Sequence, residues 1–204
     1  MRLWNIWFII TLITLSCFIL FLTYWNISPY NKNQKTEEDY EIYSIIIRTI
    51  TNGKLVILKD HTEEGEIVKD EEIKAYVLRE LFELKHETLK NFYLKNKFSI
   101  FLNEQILRRY KINCRLIDSE EFERIFGENT EKGWKVFYTK YPGSCGIITV
   151  SRVGFDKGKK QAFVYITHTS GSLCGYGMYV LLTKKRFLWK DYWVIQRKVV
   201  VWIA

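Results

Sequence analysis

The chain has little proline, glycine and cysteine for its length. Its 204 residues include 2 prolines, 11 glycines and 4 cysteines. There is no internal repeat and no low-complexity tract of the kind that glycine-rich or proline-rich sequences form. A C-x-x-C pair is also missing, and no spacing of His and Cys residues suits zinc. We therefore expect neither a structural metal nor a cofactor.

Charge is missing from residues 3–25, which read LWNIWFIITLITLSCFILFLTYW. A helix of this length covers roughly 35 Å, enough to cross a hydrocarbon core of about 30 Å. Aromatic side chains, which favour the two headgroup zones of a bilayer, stand at both ends of the run. They are Trp4, Trp7, Tyr24 and Trp25. The pattern predicts a single transmembrane anchor with the lipid bilayer as its partner.

Two other interpretations of this segment stay open. A cleaved secretory peptide has a shorter apolar region followed by small residues, whereas LTYWNIS follows here. A lipoprotein would use Cys17, yet the apolar run continues beyond that residue. The charges that flank the run are nearly balanced. The lone Arg2 before it resembles an uncleaved signal anchor, so we expect the rest of the chain on the extracytoplasmic side.

Hydrophobic periodicity divides the remaining chain into a helical half and a stranded half, the pattern of an α+β protein. Residues 26–36 are polar and aperiodic, which predicts a linker to one domain over residues 37–204. In residues 37–142, a short apolar run at 55–58 is a candidate strand. Capping residues and apolar stripes predict at least five helices there. The helices begin near Thr36, Asp70, Asn103, Asp118 and Trp134.

The stranded half, residues 143–204, contains short β-branched and aromatic runs separated by turn residues. The runs are IITVSRVGF, AFVYITH, MYVLLTKK and DYWVIQRKVVVWI. Their spacing predicts an antiparallel meander of about four strands. Helices packed on one face of that sheet would complete the core, as in a cystatin-like or NTF2-like fold.

Three motifs in the second half carry a resemblance. They are W-x-x-F-Y-x-x-Y-P at residues 134–142, S-R-V-G-F at residues 151–155, and W-I at residues 202–203. In these motifs the chain resembles a group of uncharacterised bacterial exported or membrane-anchored proteins. The resemblance implies a bacterial cell envelope as the location, and it implies no activity and no catalytic residues.

Residues 168–177 form a glycine-containing stretch with candidate chemistry. His168, Ser170 and Cys174 are candidates for a nucleophile and its base, and the backbone amides are candidates for an anion-binding nest. Phosphate-binding loops lead into a helix, whereas a strand follows here. We favour the alternative, a hairpin loop whose glycines supply positive φ angles.

Cysteine and arginine residues nearby have two interpretations each. If the turn at 156–160 sets the register, residue 154 pairs with residue 162 and Cys145 lies opposite residue 171, close to Cys174. This predicts a candidate Cys145–Cys174 disulfide, with two separate thiols as the alternative. Arg152 lies inside an apolar strand, where it is either a buried ion-pair partner, which we favour, or a ligand contact.

Basic residues cluster towards the C-terminus against a single Asp191. They are Lys184, Lys185, Arg186, Lys190, Arg197 and Lys198. Such a cluster suits anionic lipid or a polyanionic wall polymer, at about 1 kcal/mol per basic group near an anionic surface. A solvated hairpin is the alternative, and nucleic acid fits an exported domain poorly.

Three functions are compatible with these features. A binding or sensing module at the cell envelope ranks first, because it accounts for the anchor, the basic cluster and the missing catalytic motif. A hydrolase or thiol enzyme that uses residues 168–177 ranks second. A structural subunit that joins an unknown protein partner in a membrane complex ranks third.

Overall fold

The computed structural model describes residues 37–65 and 69–204. The predicted anchor at 3–25, its four aromatic residues at the ends and the linker at 26–36 lie outside this part. Among the residues described, no helix has the length and apolar character needed to cross a bilayer. The helices are α1 Glu37–Thr51, α2 Glu71–Glu80, α3 His86–Lys95, α4 Glu104–Arg109, α5 Ser119–Phe126 and α6 Thr130–Lys140. The strands are β1 Val56–Lys59, β2 Cys114–Ile117, β3 Ile147–Val150, β4 Gly154–Phe155, β5 Gln161–Gly171, β6 Cys174–Phe187 and β7 Lys190–Ile203.

Side-chain caps set where several helices begin. The carboxylate of Asp70 accepts hydrogen bonds from the second and third backbone N–H groups of α2, and Asp118 accepts one from α5. Asn129 does the same for α6. Each cap satisfies an N–H group that has no partner inside its helix. The predicted helix starts at Asp70 and Asp118 are confirmed.

The sheet is mixed rather than antiparallel. Its seven strands run in the order β2-β1-β3-β5-β6-β7, and β4 pairs with β5. Strand β1 is parallel to both β2 and β3, while the pairs among β3, β5, β6 and β7 are antiparallel. The α+β class is confirmed. The meander of about four strands describes only part of the sheet, because β1 and β2 come from the half predicted to be helical.

Helices cover both faces of the sheet, which corrects the predicted one-sided packing. Along β5, Ala162, Val164 and Ile166 pack with α1 on one face. The alternating residues Phe163 and Tyr165 pack with α2 and α3 on the other. A cystatin-like or NTF2-like sheet is therefore wrong for this chain, because parallel strands between two helical layers require crossover connections that an antiparallel meander lacks.

Helices α5 and α6 add a third apolar cluster against β1, β2 and β3. Phe137 and Tyr141 are buried there with Ile57 and Ile147. The ring centroids of Trp134 and Phe137 are 5.2 Å apart at a steep angle, a favourable edge-to-face contact. The aromatic side chains of α6 therefore pack into the core. All three apolar clusters fall within Asp39–Ala204, which forms one compact unit.

The β6–β7 hairpin extends beyond the rest of the sheet. Each strand has 14 residues, but β5 pairs with β6 only as far as Thr183. Residues 184–193 therefore continue as a two-stranded ribbon, about 13 Å long at 3.3 Å per residue. We call residues 184–193 the ribbon. Two register shifts interrupt the β6–β7 pairing nearer the sheet centre.

Candidate functional site

Three apolar side chains at the tip of the ribbon face solvent. Phe187 pairs with Lys190, so the turn consists of Leu188 and Trp189. The exposed fractions are 68% for Phe187, 69% for Leu188 and 95% for Trp189. Single exposed apolar residues are normal on protein surfaces, but three in succession at the end of a projecting hairpin indicate an interaction site.

The backbone of the turn does not suit its residues. Leu188 has a φ angle of 53°. Two-residue hairpin turns favour Gly, Asn or Asp at such a position, because other side chains crowd the backbone there. The geometry of the turn therefore does not explain the choice of Leu at position 188.

Cations surround the exposed tip, and only one acid accompanies them. The ribbon contains Lys184, Lys185, Arg186, Lys190 and Asp191. Arg186 donates two hydrogen bonds to Asp191, at 2.6 and 3.1 Å. This contact lowers the pKa of Asp191 and raises that of Arg186. Lys185 and Lys190 are exposed and form no ion pair with any residue that the structure describes.

Aromatic packing supports the base of the ribbon. The ammonium of Lys184 lies 4.6 Å from the ring centroid of Trp193, within cation–π range. Trp193 is buried, and its ring centroid lies 5.9 Å from that of Phe155 on β4. An isolated two-stranded hairpin is marginal in water, so these contacts explain how the projecting ribbon keeps its shape.

The basic cluster predicted from the sequence divides in two. Arg197 lies 3.4 Å from the carboxylate of Glu83 and stacks over the ring of Phe82 at 5.2 Å. Lys198 pairs with Val180 in the middle of the sheet, away from the tip. Lys184, Lys185 and Arg186 belong to the ribbon. The candidate binding surface therefore contains fewer basic residues than the cluster predicted from the sequence.

Residues 168–177 form the hairpin that joins β5 to β6. The Nε2 atom of His168 donates to the backbone carbonyl of Cys145 at 2.8 Å. The hydroxyl of Ser170 donates to Cys174 Sγ at 3.1 Å. The N–H of Gly175 is bonded to the carbonyl of Ala204. The hydrogen bonds of these groups therefore assemble neither a nucleophile–base pair nor an anion nest.

The strand register predicted for Cys145 is observed, but no disulfide joins Cys145 to Cys174. Ile147 pairs with Thr169, which extrapolates to Cys145 opposite Gly171, and Gly171 pairs with Cys174. In β4 the register differs by one residue, since Gly154 pairs with residue 163 instead of 162. Cys145 and Cys174 are free thiols in the structure. The disulfide stays a prediction.

Arg152 belongs to a buried polar junction. Its backbone N–H and carbonyl are both bonded to the side chain of Asn96, and its Nη1 donates to the carbonyl of Lys95 at 3.2 Å. The Lys95 ammonium donates to Asp39 at 2.8 Å, and Asp39 accepts from the Val153 N–H. Burial raises the pKa of Asp39, against the opposing effect of Lys95. The junction joins α1, α3 and the β3–β4 connection, and Arg152 takes part in it through hydrogen bonds rather than through the ion pair that we favoured.

A shallow pocket lies where β1 and β2 end. His61 Nδ1 is 2.7 Å from the Asp60 carboxylate, and the Lys59 ammonium is 2.7 Å from Glu63. The two basic side chains of the pocket are thus already paired with acids. In the described ranges, no group of His, Cys, Asp or Glu residues is arranged to hold a metal ion. The pocket is lined by Lys59, His61, Asp118, Ser119, Phe122 and Glu123.

Comparisons with known proteins do not indicate a function for this chain. No family model, curated protein or solved structure matches the chain.

The apolar tip is the feature that sequence reasoning missed, although a signal was present. FLW stands between KKR and K at a point where a hairpin turn would normally carry Gly or Asn.

Proposed function

We propose that the chain is a single-pass membrane protein whose α+β domain is a binding module at the bacterial cell envelope. Residues 3–25 act as an uncleaved signal anchor, residues 26–36 are the linker, and the domain is extracytoplasmic. The support is the uncharged run of residues 3–25 with aromatic residues at both ends. The motif resemblance to bacterial exported and membrane-anchored proteins agrees with it.

The ribbon is the observation that carries the binding role. It combines four cations and one acid with three exposed apolar side chains at its tip. The core clusters of the domain do not include these tip residues. A surface of this kind suits an anionic component of the envelope, either lipid or wall polymer.

Binding ranks above catalysis because of the partners of the candidate catalytic residues. His168 is bonded to a backbone carbonyl, and Ser170 is bonded to Cys174. A general base must reach the proton that it removes, and neither bond provides that contact. The ribbon, by contrast, offers two exposed cations, Lys185 and Lys190, and the three exposed apolar side chains of residues 187–189.

The anchor and its orientation are tested on the full chain. We expect the full chain to resist extraction from membranes by alkaline carbonate, and a variant that lacks residues 1–36 to be released. A membrane-impermeant maleimide should label the exposed Cys174 in intact cells, before or after reduction, and Cys174→Ser should lose that labelling. Carbonate release of the full chain, or labelling only after cell lysis, contradicts the proposal.

A further inference from the structure

We propose that the ribbon binds bilayers that contain anionic phospholipid, with the side chains of residues 187–189 in the interfacial zone and the neighbouring cations at the headgroup phosphates. The inference rests on the proposed function in taking the ribbon as the binding surface, and it deepens that function by naming the partner. It does not depend on whether residues 3–25 span a membrane.

The shape of the ribbon allows its tip to enter a flat surface. Residues 185–187 and 190–192 pair only with each other, beyond the end of β5, while the backbone N–H of Lys184 at the base still donates to the carbonyl of Lys160. The turn at Leu188 and Trp189 is the farthest point of this projection. Trp189 is 95% exposed, so its indole contacts almost nothing in the domain. Indole rings favour the boundary between headgroups and hydrocarbon, which is the depth that a shallow tip reaches.

The cations lie at the depth that headgroup phosphates require. Lys190 pairs directly with Phe187, beside the apolar tip. Lys185 lies two residues further back, about 7 Å along the strand. Long lysine side chains can extend along an apolar surface while their ammonium groups reach polar atoms. Asp191, the acid of the ribbon, is held in a two-bond contact with Arg186, which reduces its repulsion of phosphate.

The apolar tip distinguishes a bilayer from a wall polymer. A soluble polyanion would pair with Lys185 and Lys190 and leave the Phe187, Leu188 and Trp189 side chains in water. A bilayer accepts both groups, because binding at its interface combines apolar burial with attraction to anionic headgroups. The unfavourable φ angle of Leu188 points the same way, since a turn that served charge alone would gain from glycine.

The test uses residues 37–204, since the compact unit and all three apolar clusters lie within them. Binding is measured by co-sedimentation with vesicles of phosphatidylcholine alone, or with about one third phosphatidylglycerol. We expect at least about ten-fold tighter binding to the mixed vesicles, and weaker binding as salt rises from about 0.1 to 0.5 M. Equal binding to both vesicles, or none to either, overturns the proposal.

Variants separate the two contributions. Leu188→Ala with Trp189→Ala should weaken binding to mixed vesicles at least about ten-fold, through lost apolar burial. Lys185→Glu with Lys190→Glu should weaken it more than ten-fold, at about five-fold per cation removed. Lys135→Glu with Val136→Ala alters an exposed cation and an exposed apolar residue on α6 and should change nothing. Thermal unfolding confirms that each variant is folded.

Each failure has a distinct meaning. If the apolar variant binds as well as the unchanged domain while the charge variant does not, and soluble polyphosphate competes fully, the ribbon is a polyanion site and insertion into lipid is wrong. That outcome leaves the proposed binding module intact. Carbonate release of the full chain, with vesicle binding retained, overturns the anchor and leaves the ribbon proposal standing.

Discussion

Two groups of cations in this domain contrast in almost every respect. Lys95 and Arg152 lie in the buried junction with Asp39, where hydrogen bonds tie them to other elements. Lys185 and Lys190 lie in the ribbon, exposed to water. Burial and partners, rather than charge, decide which cations stabilise the fold and which are available to a ligand.

The largest expected difference is in stability. Lys95→Met removes the ammonium and leaves Asp39, which is 1% exposed, buried beside the Val153 N–H. An uncompensated buried charge is strongly destabilising, so the free energy of unfolding should fall by about 3 kcal/mol. Lys190→Met, the matched change in the ribbon, should alter it by less than about 0.5 kcal/mol. Denaturant unfolding of residues 37–204 measures both, and similar losses for the two variants would break the contrast.

A second test uses Asp156 in the turn between β4 and β5. Burial acts to raise its pKa, but hydrogen bonds from the Lys85 ammonium and from the Gln161 and Lys160 N–H groups outweigh burial and lower it. A lowered pKa in the folded state stabilises the fold above the ordinary value of 3.8 and loses that contribution as pH falls.

Asp156→Asn should therefore lower the free energy of unfolding by about 1–3 kcal/mol at neutral pH. The difference from the unchanged domain should shrink as the pH falls below the ordinary pKa of 3.8, because Asp156 is then protonated first in the unfolded chain and, at lower pH, in the folded domain. Asp191→Asn in the exposed ribbon is the control, and it should leave the free energy of unfolding unchanged. If the difference in the free energy of unfolding stayed constant from about pH 7 to about pH 3, the charge of Asp156 would not be involved.

The smallest expected effect is that of Leu188→Gly, which should raise stability and weaken binding. Leu188→Gly relieves the unfavourable φ angle, so the free energy of unfolding should rise by about 0.5 kcal/mol. Binding to mixed vesicles should weaken several-fold, because an apolar side chain is lost. Lys111→Gly changes another residue of positive φ, just before the edge strand β2. Lys111→Gly should raise the free energy of unfolding by a similar amount and leave vesicle binding unchanged. If it weakened binding as Leu188→Gly does, the loss of binding would not be due to the Leu188 side chain.

Local signals allowed much of the helical structure to be predicted. Asp70 and Asp118 mark helix starts because their side chains cap backbone groups two or three residues away. Strand β2 was missed because its four residues, CRLI, are too few to show alternation. The burial of both sheet faces was also missed, although near-continuous apolar runs such as AFVYI on β5 are typical of strands covered on both sides.

The candidate site was predictable only in part. Its cations are visible in the sequence, whereas their division between the sheet and the ribbon depends on tertiary contacts such as that of Arg197 with Glu83. The contacts of Arg152 depend on Asn96, whose side chain is bonded to the backbone of Arg152 from 56 positions away. No local pattern indicates such a pair. The exposure of Trp189 follows from the length of β5 relative to β6, which periodicity does not determine.

The depth of Trp189 in a bilayer tests the central contrast most directly. Residues 37–204 are added to anionic vesicles whose lipids carry bromine near the headgroup, and the tryptophan fluorescence is compared with that of Trp189→Phe. Trp193, at the base of the same ribbon, is buried in the domain. We expect strong quenching and a blue shift in the unchanged domain, and loss of most of both in the variant. Equal quenching in the two proteins, or none in either, would contradict the assignment of the ribbon as the membrane-binding surface.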